Sequence, residues 1–267
     1  MSERTNAANA TFPGFLRPDG SVGTRNFIGV FVVGNCGATA ARQVADYFDE
    51  ERLADFPQVD GVVPFVHEIG CGMEMTGEPM DLLRRTISGH IRNPNIVAAL
   101  VIALGCERNN LRSFLNQEKL ALGDTLHTLT IQDIGGMARA VAEGKRIVAE
   151  LLPRANQARR QAISAAHLVV GLKSSAADRF SPLSADPALA VAVAKLLECG
   201  GTAIMSETPD LLAHPQPLLA RSTKPANGPS PPWFATPRSP PPPAWCSWTA
   251  RATTPSASRA RPPAAPR

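Results

Sequence analysis

The stretch from Phe27 to Gly37, FIGVFVVGNCG, decides how the rest of the chain is read. Its first eight residues are apolar or glycine with no polar alternation, which marks a strand covered on both faces rather than on one. It then breaks abruptly into glycine, amide and thiol. The same kind of run recurs downstream as DGVVPFV (60–66), VAALVIAL (97–104), HTLTI (127–131), HLVVGL (167–172) and TAIM (202–205). Helical patterns lie between the runs: Val44, Tyr47 and Phe48 suit one helix face, as do Leu83 and Ile87. Met137, Val141, Gly144, Val148 and Leu151 make a longer stripe that should end at Pro153. A further helix is expected with Asp186 as N-cap, Pro187 at the first helical position and Gly200 just past its end. Strands alternating with helices imply an α/β fold, a doubly wound, mostly parallel Rossmann-like sheet.

In such a sheet ligands bind beyond the carboxyl ends of the strands, so the residues that follow each run are the place to look for chemistry. The first run ends in Gly34-Asn35-Cys36-Gly37, the second in His67-Glu68-Ile69-Gly70-Cys71-Gly72, and the third in Gly105-Cys106-Glu107-Arg108-Asn109. Cys36, Cys71 and Cys106 are spaced 35 residues apart, one strand-helix unit each, so three thiols, an imidazole and several carboxylates or amides should gather along one edge. Each has a plainer alternative. A cysteine is often a small buried hydrophobe, and His67 could equally satisfy a core hydrogen bond. Close C-x-x-C pairs of the structural zinc kind are absent, as are a G-x-G-x-x-G after the first strand and a P-loop. The glycines let backbone approach a small anion, and nucleotide cofactors are not expected.

Composition divides the 267 residues in two. The segment after Asp210 holds 7 of the 27 Lys+Arg and no acidic residue, so it carries +7 while residues 1–210 carry −3. The same segment has 15 of the 25 prolines and all three tryptophans. A basic excess confined to a tail gives no reason to expect nucleic acid as a partner. No apolar run approaches the roughly 20 residues that span a bilayer, and residues 1–15 lack a signal-peptide core, so a cytoplasmic protein with free thiols and no membrane partner is expected. The organisation expected is a flexible N-terminus (1–13), an α/β domain (14–211) and a Pro-rich tail (212–267). So much proline with so few aliphatic residues implies disorder in the tail.

At the same residues the sequence resembles a known family. GFLRPDGSVGTRNFIGVFVVGNCGATAARQVADYF (14–48), DGVVPFVHEIGCGMEMTGE (60–78), RNPNIVAALVIALGCERN (92–109) and GGTAIMSETPDL (200–211) look like the large region of the altronate and galactarate dehydratases, a group that includes sulfolactate sulfo-lyase large subunits. The resemblance implies a metal-dependent hydro-lyase that removes water from a sugar acid to give a 2-keto-3-deoxy acid, assisted by Fe2+ or Mn2+. The alternatives are a sulfolactate sulfo-lyase large subunit, which cleaves carbon–sulfur, and a catalytically inactive fragment. Proton abstraction beside a carboxylate calls for a base, an acid and a group that stabilises the enediolate. By chemical type and strand-end placement, His67, Glu107 and Glu207 are the candidate catalytic residues. Cys36, Cys71 and Cys106 are the candidate metal ligands. Arg25, Asn35, Lys173 and Asp178 are candidates to hold the substrate's carboxylate or hydroxyls, Arg25 by a bidentate grip.

The resemblance also implies what this chain alters. Family members carry a Cys-Gly-Gly-Ser-Asp run after the fifth strand, where this chain has Ser174-Ser175-Ala176-Ala177-Asp178, and a serine hydroxyl is a poorer metal ligand than a thiolate. Longer relatives begin with a small β-rich domain, which implies a separate small β-rich partner subunit here, alongside a possible homo-oligomer. The Ser206-Glu207-Thr208-Pro209 segment passes within a few residues into the Pro-rich tail, as a frameshift near residue 212 would produce. Resequencing the gene and translating the other frames downstream of that point should reveal dehydratase-like sequence; finding none would discard the frameshift.

Overall fold

The four apolar runs nearest the N-terminus form a parallel sheet, whose neighbouring strands are joined by helical crossovers; the two interior runs are buried nearly throughout, and the two edge runs only in part. A computed structural model of the chain describes residues 10–173 and 180–205. In order, its elements are β1 (Thr11–Leu16), β2 (Val22–Gly23), β3 (Phe27–Val32), α1 (Ala38–Ala45), β4 (Gly61–Phe65), α2 (Glu78–Ile91), β5 (Ile96–Ala103), α3 (Leu111–Gln117), β6 (Leu126–Thr130), α4 (Ile131–Ile134), α5 (Met137–Ala155), β7 (Gln161–Ser164), β8 (Val169–Leu172), α6 (Ala185–Glu198) and β9 (Thr202–Met205). One compact unit comprises residues 1–171 and 176–204. Of the second unit, residues 172–175 and 205–267, only Leu172, Lys173 and Met205 are among the described residues.

The main sheet has the order β4-β3-β5-β6, with every neighbouring pair parallel. The chain starts at the interior strand β3, steps out to β4, then crosses back to β5 on the other side. Strand order therefore reverses between β3 and β5, and that is where the crevice of an open α/β sheet lies. Pro64 falls in β4, an edge strand, where a missing N–H costs no ladder bond on the open side. Alternate residues of β3 face opposite layers. Ile28, Val30 and Val32 pack with Ala40, Ala41 and Val44 of α1 and with Val148 and Leu151 of α5. Phe31 and Val33 pack with Met80, Leu83 and Ile87 of α2 and Phe114 of α3. The fold is thus the doubly wound α/β sheet read from the sequence.

Several boundaries differ from the sequence reading. The main sheet stops at four strands. The runs at 167–172 and 202–205 form a separate two-stranded sheet, β8-β9, instead of extending it. The chain leaves the main sheet before them: after α5 it enters β7, which pairs antiparallel with β1, so that Thr11–Gly14 oppose Ser164–Gln161. This small β2-β1-β7 sheet begins at Thr11, inside the segment expected to be a flexible N-terminus. Helix α5 continues through Pro153 to Ala155. The ring removes one hydrogen bond in the last turn, and the Asn156 N–H still reaches Leu152 O at 2.9 Å. Helix α6 starts at Ala185, with Ser184 as N-cap and Asp186 inside its first turn, where its charge complements the helix dipole. Among the described residues no helix is long and apolar enough to cross a membrane.

Polar side chains fasten the small sheet to the amino edge of the main one. Buried Asn26 donates from Nδ2 to Gln58 O (2.7 Å) and Ala155 O (2.9 Å), and its N–H donates to Asp60 Oδ2 (2.6 Å). Arg160 reaches both oxygens of Asp60 at 3.2 Å while its guanidinium covers the Phe15 ring. On the α1–α5 contact, a Cβ at Gly144 would stand 2.7 Å from Val44 Cγ2, so the two helices touch there because Gly144 has no side chain. Gly144→Val is therefore expected to lower the unfolding free energy by about 1–3 kcal/mol. Gly89→Ala on α2, where an added Cβ meets nothing within 4 Å, should raise it by about 0.5–1 kcal/mol. Denaturant midpoints that leave Gly144→Val level with the wild type would remove this account of the helix contact.

Candidate functional site

Three strand ends meet at the carboxyl edge through backbone held very close. Gly70 has φ +105°, and a Cβ there would lie 2.7 Å from Val33 O and 2.8 Å from Gly34 Cα. The loop after β4 can therefore lie directly on the end of β3. The Asn35 N–H donates to Ile69 O (3.0 Å), and the Asn109 N–H, from the loop after β5, donates to Gly70 O (3.0 Å). Fully buried Asn109 adds a bond from Nδ2 to Val33 O (2.9 Å) and accepts from Arg84 Nε of α2 (2.9 Å). Asn109 and Arg84 were not singled out in the sequence. An amide two residues after Glu107 looks like any loop residue until its burial is known.

The thiols of Cys36 and Cys71 meet in this frame, with their sulfurs 3.3 Å apart. Cys36 is exposed on the turn after β3, and Cys71 is partly buried. Burial, reinforced by the neighbouring Cys36, pushes the Cys71 thiol up to about 11. Cys106 follows β5 on the same edge and is exposed, but its sulfur bonds to neither of the others. Asn35 is exposed beside Cys36, on the edge where a substrate-holding amide was expected.

His67 and Glu107 are nearby, but both are turned to the backbone. His67 is only 7% exposed, with Nε2 3.0 Å from Val32 O and Nδ1 taking the Ile69 N–H at 3.4 Å. A carbonyl can only accept, so Nε2 carries the proton and neither nitrogen has an open lone pair in this arrangement. Of the readings open in the sequence, this geometry is that of the satisfied core histidine. Glu107, 6% exposed, accepts the Leu104 N–H (2.7 Å) on one oxygen and the Gly105 N–H (2.5 Å) on the other, closing the turn after β5.

The remaining expectations divide by position. Arg25 requires correction: it precedes β3 and pairs with Asp60 at 3.4 Å on the amino edge. That is one strand length, about 20 Å, from the thiols. A sequence offset of ten residues from Asn35 spans the sheet from one edge to the other. Lys173 is exposed and follows β8, in the second unit. Asp178, Glu207 and Ser174 lie outside the described residues.

A divalent ion needs several donors with open lone pairs. Among the described residues no group of three or more His, Cys, Asp or Glu is placed to hold one. The contact of Cys36 with Cys71 supplies two donors, while the His67 nitrogens and the Glu107 oxygens are engaged by backbone. The described residues therefore do not make the Fe2+ or Mn2+ site that was expected.

A cavity of about 300 Å3 opens on the same edge, between the ends of β5 and β6. Gly105, Glu107, Asn110, Arg112, Thr130, Gln132 and Asp133 contribute to its lining. Arg112 is exposed and has no hydrogen-bond or ion-pair partner among the described residues. A free guanidinium beside amides and a threonine hydroxyl is suited to a small carboxylate that also bears hydroxyl groups. Asn110, Arg112 and Gln132 were missed in the sequence because each belongs to the helix or turn that follows a strand and carries no motif of its own.

Fold and edge together define a doubly wound α/β protein with a polar crevice at its carboxyl edge, between the ends of β5 and β6. Comparison with known proteins narrows the class. The family model for the D-galactarate dehydratase/altronate hydrolase second domain matches residues 14–156, and the D-galactarate/altronate dehydratase C-terminal model matches residues 165–229. The chain belongs to this family. The second match runs past residue 211, so family-like sequence continues into the segment read as tail. The chain is 28% identical over 215 residues to altronate dehydratase of Bacillus subtilis (strain 168), covering 80% of this chain and 42% of that protein. It is 32% identical over 213 residues to galactarate dehydratase (L-threo-forming) of Escherichia coli (strain K12), covering 75% and 40%. It is 28% identical over 211 residues to (2R)-sulfolactate sulfo-lyase subunit beta of Chromohalobacter salexigens, covering 79% and 50%. The chain thus spans two fifths to one half of the length of these relatives.

Burial also gives the site a pH signature. It holds the His67 imidazole below its ordinary value, outweighing the Val32 and Ile69 bonds, and burial does the same to His90 on α2. The unfolded chain therefore binds protons that the folded chain does not, and stability should be full above pH ~6.5 and fall as pH drops below it. Chemical denaturation between pH 7.5 and 5.5 should show this slope and should show it reduced in His67→Gln, with the His90 share remaining. A slope unchanged by His67→Gln would contradict the inward, neutral ring.

Proposed function

We propose that this chain carries the acid-binding part of a hydro-lyase that removes water from a sugar acid such as altronate or galactarate, leaving a 2-keto-3-deoxy acid. The observation that supports this most is that the family match over 14–156 spans the strands and loops that build the crevice. In the reaction the hydrogen beside the carboxylate leaves as a proton and the neighbouring carbon loses hydroxide. The resulting enol then becomes the 2-keto acid. The substrate is an anion that bears several hydroxyls. In this reading Arg112 takes the carboxylate, and Asn110, Thr130 and Gln132 take hydroxyl groups.

His67 is committed to backbone, so Glu207 remains the candidate for the base or the acid, and Asp178 remains a candidate to hold the substrate. Dependence on Fe2+ or Mn2+ belongs to the same proposal and is tested by adding the metal in the assay below. We place the reaction in the cytoplasm. A second reading is favoured by the relative of which this chain spans the largest share of those compared, a sulfo-lyase named as a beta subunit. On that reading the product includes sulfite, and a separate small subunit completes the enzyme.

The purified chain, alone and with Fe2+ or Mn2+, should be given altronate, galactarate and sulfolactate in turn while 2-keto acid and sulfite are assayed and binding is measured by calorimetry. We expect a sugar acid to bind and Arg112→Ala to weaken it about ten- to a hundredfold, the equivalent of a charge-assisted hydrogen bond of about 1.5–3 kcal/mol. Sulfite release would favour the second reading. Absence of binding by all three acids, with or without metal, would leave only a silent fragment.

A further inference from the structure

Cys36 and Cys71 bring two thiols into direct contact, and the described residues around them do not complete the metal site for which they were candidates. A sulfur–sulfur distance of 3.3 Å is shorter than the ordinary contact of two sulfur atoms. A disulfide at about 2.05 Å lies roughly 1.3 Å of side-chain movement away. The surroundings allow that movement. Cys36 is exposed on a short turn between Gly34 and Gly37, and Gly72, next to Cys71, has nothing within 4 Å of where its side chain would begin. The other thiols of the described residues, Cys106 and Cys199, lack such a partner.

We propose that Cys36 and Cys71 form an oxidisable dithiol, which exchange with a low-molecular-weight disulfide converts into an intramolecular disulfide. Cys36, the exposed member, attacks one sulfur of the small disulfide as thiolate. A mixed disulfide forms and one small thiol departs. Cys71 then gives up its proton to solvent and attacks the Cys36 sulfur, expelling the second small thiol. Two protein thiols are oxidised and one disulfide is reduced to two thiols, so electrons and protons balance. The new bond would join the turn after β3 to the loop after β4, beside the switch point, and fix how far those loops can part. Residues 36 and 71 stand a full strand-helix unit apart in sequence, so the bond would also close a long loop and hold the edge together in the unfolded chain.

The test uses the full chain, incubated with oxidised glutathione in the presence of a chelator, followed by thiol titration and mass mapping. The expected result is a fall from five free thiols to three and a mass lower by two hydrogens. A cross-linked pair of peptides should contain Cys36 and Cys71, and dithiothreitol should reverse the change. Cys36→Ser and Cys71→Ser should each abolish the cross-link, and Cys106→Ser should leave it intact. A stable glutathione adduct on Cys36, a bond to Cys106, or no loss of thiols would each overturn the proposal. The readout is chemical and needs no substrate, so its outcome is independent of whether the chain binds a sugar acid.

Discussion

The whole carboxyl edge depends on the contact of one backbone with another at Gly34 and Gly70. With φ at +105° and a Cβ position that would fall 2.7 Å from a carbonyl oxygen, Gly70 can be replaced by nothing else without moving the loop. That approach makes the Asn35–Ile69 and Asn109–Gly70 bonds possible. Once these hold, Cys71 stands against Cys36 and Glu107 stands against Gly34, where a Cβ would meet the Glu107 side chain at 3.1 Å. Separate the two glycines and three strand ends become independent loops.

The edge is divided by how its polar groups spend their hydrogen bonds. His67, Glu107 and Asn109 are buried and turned to main-chain atoms of β3, β5 and their loops. An unpaired buried polar group costs more than a hydrogen bond returns, so such residues are held to their partners. Asn35, Cys36, Cys106 and Arg112 are exposed, on the side that a ligand can reach. Residue types that suggest catalysis thus do two jobs here, and burial rather than chemistry separates them.

This division explains what was legible beforehand. Strands β3 to β6 could be read because strands of a helix-covered parallel sheet carry compact apolar runs, and the 35-residue cysteine spacing followed from the repeat of strand and helix. Strands β1 and β7 were illegible. TFPGFL and QAIS carry no period, and their pairing joins residues nearly 150 positions apart. Arg25 was misplaced because an edge is set by whether a residue precedes or follows its strand, and Arg25 precedes β3 by two residues. The inward ring of His67 could not be foreseen either, since an imidazole after a strand can face the ligand or the sheet. Only the position of the Val32 carbonyl decides between them.

The open side of the crevice has its own logic. A parallel sheet delivers every strand end, with its helix to follow, to one edge, so cationic and amide side chains near helix starts arrive there without any motif linking them. Arg112 sits in the second position of α3 and Gln132 in the second position of α4, each after a different strand. Their convergence on one cavity with Thr130 follows from topology alone. A chain of this topology can therefore keep its anion-binding wall while the loops of β3 and β4 change their chemistry. A thiol pair can occupy those loops without disturbing the groups that would hold an acid.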